Sequence, residues 1–466
     1  MAKSTQRLQM EELQNYKLVY MIGAGGVSMS SLALILREKG VAVRGYDRSR
    51  SGVTERLEQA GVEMYYEDDP KAFEGVELVC FTAAVNEEHP QMILAKNSGA
   101  KIVSRAEMLG CLAASYPYSV AVAGTHGKST TSGMLSHIFM HTPGCDPTVV
   151  VGAKITEIDS AYRIGKDGNF IFEACEYKDS FLSFYPKVAV VLNIQLDHTD
   201  YFHSLEHMRG SFEQFLSNTA EDGFCVLNLD CENCRIAMKS CNRKVVTYSV
   251  EGNEAADYYA KNIDLSDGFG KFDVYCRGEF LLHASLKVPG IHNVSNALAA
   301  VAASLPAGLS PAEIAEGLAG YCGVNRRFEF LCENKGARYF DDYAHHPDEI
   351  KVTLAAAKAV TSGRVICVFQ PHNYSRLHDL FEDFKGCFGD ADLLVLTKLY
   401  AAREAAGNEV SSALLAEQTG AVYIDDLQEI PAYLDSICRE GDTVLIMGAG
   451  DIGKLAEKLK KSEKIS

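Results

Sequence analysis

The segment Gly124-Thr-His-Gly-Lys-Ser-Thr-Thr131 has the residue types of a phosphate-binding loop. Glycines let a backbone curl until several N–H groups converge on phosphate oxygens. A lysine then neutralises the terminal phosphates, and a hydroxyl faces Mg²⁺. Here Gly124 and Gly127 supply the bend, Lys128 the charge, and Ser129 and Thr130 the hydroxyls. Only Thr125 and His126 separate the two glycines, so the loop is a shortened variant. Mg²⁺ also favours carboxylates. Glu173, and the cluster of Asp197, His198 and Asp200, supply acids and an imidazole at the ends of two apolar runs. Further on, Asp341-Asp342-Tyr-Ala-His345-His346-Pro347 and Gln370-Pro-His-Asn-Tyr-Ser-Arg376 place acids, imidazoles and a guanidinium at two more apolar-run ends. Arg376 has the fork geometry to clamp a carboxylate. Between these groups, Asn325-Arg326-Arg327-Phe328-Glu329 offers a basic residue able to reach a γ-phosphate when domains close.

These groups need rigid elements behind them. Val120–Ala123 reads as a buried strand before the loop, and Met134, Leu135 and Ile138 recur at helical spacing after it. Residues 169–173 and 188–194 read as further strands, and 244–285 as an antiparallel insertion or edge. In an open parallel sheet, ligands lie beyond the carboxyl ends of the strands, so Glu173 and the Asp197 cluster are expected to share a crevice with Lys128. Upstream, residues 17–22 form a strand followed by Gly23-Ala24-Gly25-Gly26-Val27-Ser28, and a second strand ends at Asp47. That is the order of a dinucleotide fold, with Ser28 where the third glycine would stand. Residues 78–82, ending at Thr82, and 101–104 continue this first sheet, while 338–342, 364–369, 393–396 and 443–447 build a third. The fold class is therefore α/β with three domains: an N-terminal Rossmann-like unit (1–115), a central P-loop unit with a mixed sheet (116–321) and a C-terminal Rossmann-like unit (322–466).

Composition sets bounds on function. A chain of 466 residues with 47% apolar content is expected to divide into several globular domains. A net charge of −17 argues against a nucleic-acid partner, although an acidic protein can still hold a local anion pocket. No apolar run reaches a membrane span and no secretory leader is visible, so a cytoplasmic protein without membrane insertion is expected. The 14 cysteines then read as reduced thiols. Cys231-Glu-Asn-Cys234 has zinc-like spacing but reads as a surface turn, and Gly448-Ala-Gly450-Asp-Ile-Gly453 as a tight strand–helix turn.

Taken in order, the loop at 124–131, Glu173-Ala-Cys-Glu-Tyr177, Asn193-Ile-Gln-Leu-Asp-His198, Gly290-Ile-His-Asn-Val-Ser-Asn-Ala297, Gly323-Val-Asn-Arg-Arg-Phe-Glu329, Asp341–Pro347 and Gln370–Arg376 resemble the Mur ligase family over essentially the whole chain. His126 and Asp-Tyr-Ala-His-His-Pro resemble its alanine-adding branch, with the murein peptide ligase branch as the nearest alternative. The resemblance implies ATP-dependent joining of L-alanine to UDP-N-acetylmuramate through an acyl phosphate, with Mg²⁺ as cofactor, in a monomer or homodimer. It implies that residues 124–130 bind ATP, with Ser129, Glu173 and His198 at the metals and Lys128 and Arg326 at the phosphates. Asn293 and Asn296 would lie near the adenine and Asp342 near the ribose. His345 and Arg376 would meet the alanine, with His345 as candidate base. Gly23, Ala24, Gly25, Gly26, Val27, Ser28, Asp47 and Thr82 would hold the UDP-sugar. Where family members often carry glutamate this chain has Gln195, and Asn373 stands where some relatives have arginine.

Overall fold

A computed structural model describes residues 8, 13, 15–199, 201–402, 404 and 410–463; Asp200 lies outside the described residues. The strands form three sheets. The first contains β1 (Leu18–Ile22), β2 (Ala42–Tyr46), β3 (Glu63–Tyr65), β4 (Leu78–Phe81) and β5 (Lys101–Ser104). All are parallel, in the order β3-β2-β1-β4-β5. The order reverses between β1 and β4, so the glycine loop after β1 and Thr82 after β4 sit together at the switch point.

The second sheet has ten strands: β6 (Tyr118–Ala123), β7 (Thr148–Ile155), β8 (Ser160–Arg163), β9 (Asn169–Glu173), β10 (Val188–Val191), β11 (Phe224–Asn228), β12 (Lys244–Ser249), β13 (Tyr258–Asp264), β14 (Phe269–Cys276) and β15 (Glu279–Pro289). Their order is β15-β14-β13-β12-β11-β10-β6-β9-β7-β8. At its centre β6 pairs in parallel with β9 and β10, and Val120–Ala123 and Val188–Val191 are fully buried. Near-continuous apolar runs are what strands covered on both faces require. The helix Lys128–His141 covers one face together with the helix Ile291–Ser304, whose alanines Ala297, Ala299, Ala300, Ala302 and Ala303 are all buried. The expected antiparallel region is β13–β15, whereas β12 pairs in parallel with β11.

The third sheet contains β16 (Glu329–Asn334), β17 (Ala337–Asp342), β18 (Val365–Phe369), β19 (Leu393–Thr397), β20 (Val422–Ile424) and β21 (Thr443–Met447), in the order β16-β17-β21-β18-β19-β20. Insertion of β21 between β17 and β18 brings the ends of all three to one edge: Gly448 N donates to Asp342 O and Gln370 N to Met447 O. Of the segment 448–453, residues 448–451 turn into the helix Ile452–Glu463, and at Gly450 a Cβ would lie 2.4 Å from Gln370 Oε1.

The expected strand 188–194 stops at Val191 because the next residues bond to the phosphate-type loop instead of a ladder: Thr125 N donates to Asn193 O and His126 N to Asn193 Oδ1. The expected surface turn at Cys231–Cys234 is also revised. Cys231 stands at the N-cap of the helix Glu232–Met238, and Cys234 is a buried residue within that helix. All 14 cysteines are free, and among the described residues no helix is long and apolar enough to cross a membrane.

Candidate active site

The loop after β6 has the geometry its glycines require. Gly124 and Gly127 have φ of 141° and 87°. A Cβ on Gly127 would lie 2.7 Å from Asn296 Oδ1, so glycine allows both the turn and the close approach of the alanine-rich helix. Lys128 Nζ donates to Gly124 O at 2.5 Å and Thr125 O at 3.0 Å, and pairs with Glu176 at 3.0 Å. Burial works against the charge on Lys128, but Glu176 outweighs it and the ammonium is held more strongly than usual. Glu176, buried at 1% exposure, is in turn kept ionised by Lys128 and His198 against its own burial. Glu176 therefore provides the counter-charge to Lys128, a role not read from the sequence.

Lys128, Ser129, Glu173, His198, Arg326, Asp341 and His345 all line one crevice of about 860 Å³ between the second and third sheets. Glu173 Oε1 accepts from Gly152 N at 2.7 Å, and a Cβ on Gly152 would lie 2.8 Å from Glu173 Oε2. Glycine thus keeps the space beside that oxygen open, and a carboxylate oxygen that shares a crevice with the Ser129 hydroxyl suits Mg²⁺. His198 has φ 54° and places Nε2 3.7 Å from Glu176 Oε1.

An adjoining cavity of about 300 Å³ is lined by His126, Gly127, Thr130, Asn293, Asn296, Arg327, Asp342 and Glu349. Asn293 and Asn296 are buried and bonded to each other, Asn296 Nδ2 to Asn293 Oδ1 at 3.1 Å. Asp342 lines the same cavity, and its two oxygens accept from Phe328 N and Ala344 N. Burial raises Asp342 to about 6. The two arginines of the linker diverge. Arg326 turns to Asp341 (3.0 Å) and to Gly448 O (2.6 Å), whereas Arg327 faces both the cavity and the crevice. Arg326, expected at the phosphates, lines the crevice with Lys128 while its guanidinium is bound to the third sheet; Arg327 also reaches the adjoining cavity.

Glu349 joins the two units. Its Oε1 meets His126 Nδ1 at 3.1 Å and Arg327 Nη1 at 3.4 Å, while Oε2 accepts from His345 N at 3.1 Å and His346 N at 3.4 Å. Burial opposes ionisation, but His345, His126 and Arg327 outweigh it and hold the carboxyl well below the usual range. The central-domain loop, the linker and the C-terminal unit thus share one carboxylate.

A smaller cavity of about 230 Å³ lies beside Asp197, His198, His345, His372 and Arg376. Arg376 Nη2 and Asp197 Oδ1 pair at 3.0 Å across the two units, both nearly buried. Burial alone would raise Asp197, yet Arg376 and His198 hold its carboxyl far below the usual range. His345 Nδ1 lies 2.9 Å from Tyr343 O, which makes Nδ1 the protonated nitrogen and Nε2 the acceptor. Burial, with Arg376 adding to it, pushes His345 down to about 3. His345 thus shares the cavity with Arg376, its affinity for a proton lowered by burial and its Nε2 left as the acceptor nitrogen.

In the first unit, Gly23 (φ 81°) approaches Thr82, where a Cβ would lie 2.6 Å from Thr82 Cγ2. Gly23 N and Ala24 N donate to Tyr46 O, and the helix Val27–Glu38 starts immediately after Gly26. Asp47 Oδ2 accepts from Gly25 N at 2.8 Å, so this acid braces the loop. Ser28 Oγ accepts from Arg105 Nη1 at 2.9 Å, which adds an unforeseen cation beside the loop.

Three family models match in sequence: Mur ligase family, catalytic domain over 18–117; Mur ligase middle domain over 122–304; and Mur ligase, glutamate ligase domain over 326–450. The UDP-N-acetylmuramate–L-alanine ligase of Acetivibrio thermocellus is 39% identical over 466 residues, covering 99% of each chain. The chain belongs to the Mur ligase family. A second relative of this Mur ligase, the UDP-N-acetylmuramate–L-alanine ligase of Caldanaerobacter subterraneus, is 41% identical over 97% of this chain and 99% of its own. Among solved structures, the UDP-N-acetylmuramate-alanine ligase of Thermotoga maritima is 27% identical with a TM-score of 0.78, covering 96% of this chain and 99% of its own. A murein peptide ligase from Psychrobacter arcticus shares the fold at 21% identity and a TM-score of 0.67.

Proposed function

We infer that this Mur ligase joins L-alanine to UDP-N-acetylmuramate at the expense of ATP, giving UDP-N-acetylmuramoyl-L-alanine for peptidoglycan precursor synthesis in the cytoplasm. The reading is supported most strongly by full-length similarity to alanine ligases. The observation that carries its chemistry is the convergence of Lys128, Arg327 and the Asp197–Arg376 pair on adjoining cavities. We assign residues 1–115, 116–321 and 322–466 to UDP-sugar, ATP and amino-acid binding respectively.

The nucleotide base and ribose occupy the cavity of Asn293, Asn296 and Asp342. The triphosphate runs along residues 124–130 toward the crevice, where it replaces the loop carbonyls as the partner of Lys128. Ser129 and Glu173, with His198 nearby, would hold Mg²⁺, whose charge would screen that of the triphosphate. The lactyl carboxylate of the sugar nucleotide attacks the γ-phosphorus, the bond to ADP breaks, and an acyl phosphate forms. Lys128 and Arg327 stabilise the charge of the transferring group, with Arg326 available from the crevice wall.

Alanine enters the smaller cavity. Arg376 takes its carboxylate, and the Nε2 of His345 accepts a hydrogen bond from the amine and so directs its lone pair. The amine attacks the acyl carbon, the carbon–oxygen bond breaks, and phosphate departs. The departing phosphate takes up the proton that the amine loses. The test is product mass after incubation with ATP, Mg²⁺, UDP-N-acetylmuramate and either alanine or the L-alanyl-γ-D-glutamyl-diaminopimelate tripeptide. Addition of alanine alone is expected; addition of the tripeptide alone would move the chain to the murein peptide ligase branch.

A further inference from the structure

We propose that His137, His141 and Glu157 form a second cation site, suited to a divalent transition ion such as Zn²⁺, at the end of the Lys128–His141 helix remote from the phosphate loop. The two histidines are one helical turn apart and present their rings side by side, with centroids 4.2 Å apart. Both Nε2 atoms face the same carboxylate, His137 at 3.3 Å from Glu157 Oε2 and His141 at 2.8 Å from Oε1. The three ligand atoms lie within 4.8 Å of one another. Zn²⁺ bonds of about 2.0–2.2 Å at tetrahedral angles put ligand atoms ~3.3 Å apart, so the site needs only small adjustments.

The surroundings of His137 match what a metal-ligating histidine needs. Its Nδ1 lies 2.8 Å from Gly317 O, which fixes the proton on Nδ1 and turns the Nε2 lone pair toward Glu157. A Cβ on Gly320 would lie 2.6 Å from His137 Cε1, so glycine makes room for the ring. His141 and Glu157 are exposed, which gives an ion a path from solvent and leaves a coordination position for water. Two imidazoles and one carboxylate select a transition ion over Mg²⁺ or Ca²⁺, which prefer all-oxygen sites.

The site lies eight residues beyond Ser129, about 12 Å along the helix, and shares no ligand with the catalytic crevice. Glu157 belongs to the turn between β7 and β8, and β7 carries Gly152 and Lys154 on the crevice wall. Gly317 lies in the helix Pro311–Gly320, which leads into the interdomain linker. An ion here ties the turn directly to the helix that begins at Lys128, and through His137 to the linker helix.

The test is titration of the metal-free, full-length protein with Zn²⁺, followed by calorimetry and thermal unfolding without nucleotide. One equivalent is expected to bind and raise the unfolding midpoint. The H141A variant removes an exposed ligand at the helix end, so it should fold and melt as wild type in metal-free buffer while binding Zn²⁺ at least ~100-fold more weakly, since even indirect partners of a metal cost 10–100-fold. Glu157→Gln is the second variant and should also weaken binding. Ligation with Mg²⁺ and no Zn²⁺ should be unchanged in H141A. Co²⁺ should give a visible spectrum without a thiolate charge-transfer band. Absence of stoichiometric binding, wild-type affinity in both variants, or a thiolate band pointing to the cysteines would overturn the proposal.

Discussion

Glu349→Gln removes one charge and none of the volume, and the structure gives the size of its effect. One carboxylate oxygen serves His126 and Arg327, the other the backbone N–H groups of His345 and His346. An amide keeps a single acceptor. If its oxygen serves the backbone pair, its NH₂ faces the Arg327 guanidinium, donor against donor. Hydrogen bonds to charged groups are worth about 1.5–3 kcal/mol, and breaking a buried pair costs about 3–5 kcal/mol. Reorientation of the His126 ring recovers part of this, leaving about 3–4 kcal/mol against placing Arg327 and the phosphate loop together. At 1.4 kcal/mol per decade, kcat/KM for ATP should fall ~10²–10³-fold. With the sugar nucleotide assigned mainly to the first unit as proposed above, its KM should stay within ~2-fold, a split that general unfolding would not produce. A coupled ADP-release assay at varied ATP and at varied UDP-N-acetylmuramate measures both, with circular dichroism to check the fold. A folded variant with kcat/KM for ATP within ~3-fold of wild type would refute the argument that this carboxylate holds the catalytic arrangement.

Other substitutions separate the remaining roles. Lys128→Ala should leave the fold intact and lower turnover by ~10³-fold or more, since preorganised charge at the transferring group is lost; near-normal ADP release from the folded variant would remove Lys128 from the phosphate site. Arg327→Ala should cost more in kcat than Arg326→Ala, because Arg327 faces the cavity proposed for the nucleotide and Arg326 is bound to Asp341; single-turnover rates that rank them the other way would assign Arg326 to the γ-phosphate. Burial raises Asp341 to about 7, above an unfolded value of about 3.9, so between those pH values the folded state binds the extra proton and stability falls as pH rises. Asp341→Asn should flatten that part of the pH dependence of chemical unfolding; an unchanged slope between about pH 4 and about pH 7 would show that Asp341 does not set it.

The sequence disclosed most of what depends on local patterning. The buried run of β6, the glycines that bend the loop and the acids ending β9 and β17 are continuous in the chain, and all of them reach the expected sheet edge. What it concealed depends on contacts distant in sequence. Glu349 lies within the helix Pro347–Val360, where an acid in the first turn reads as a helix-dipole partner, and only domain packing places His126 against it. Arg326 and Arg327 are adjacent and chemically identical; at Arg326 φ is 60°, and one side chain meets the third sheet while the other lines the cavity of about 300 Å³. Glu176 was visible in Glu173-Ala-Cys-Glu176, yet nothing local distinguishes the acid that pairs with Lys128 from the acid that bonds Gly152 N. Short edge strands such as β3 and β20 have too few residues to show a period.

The account rests on transfer of a phosphoryl group to the sugar-nucleotide carboxylate before the amide forms. That order moves one carboxylate oxygen into the released phosphate. UDP-N-acetylmuramate carrying ¹⁸O in its lactyl carboxyl group, incubated with ATP, Mg²⁺ and L-alanine, tests it directly by mass spectrometry of the phosphate. The account predicts one ¹⁸O in each phosphate, released in step with one ADP and one new amide, and only when alanine is present. Phosphate free of ¹⁸O, or labelled phosphate accompanied by no alanine adduct, would contradict it.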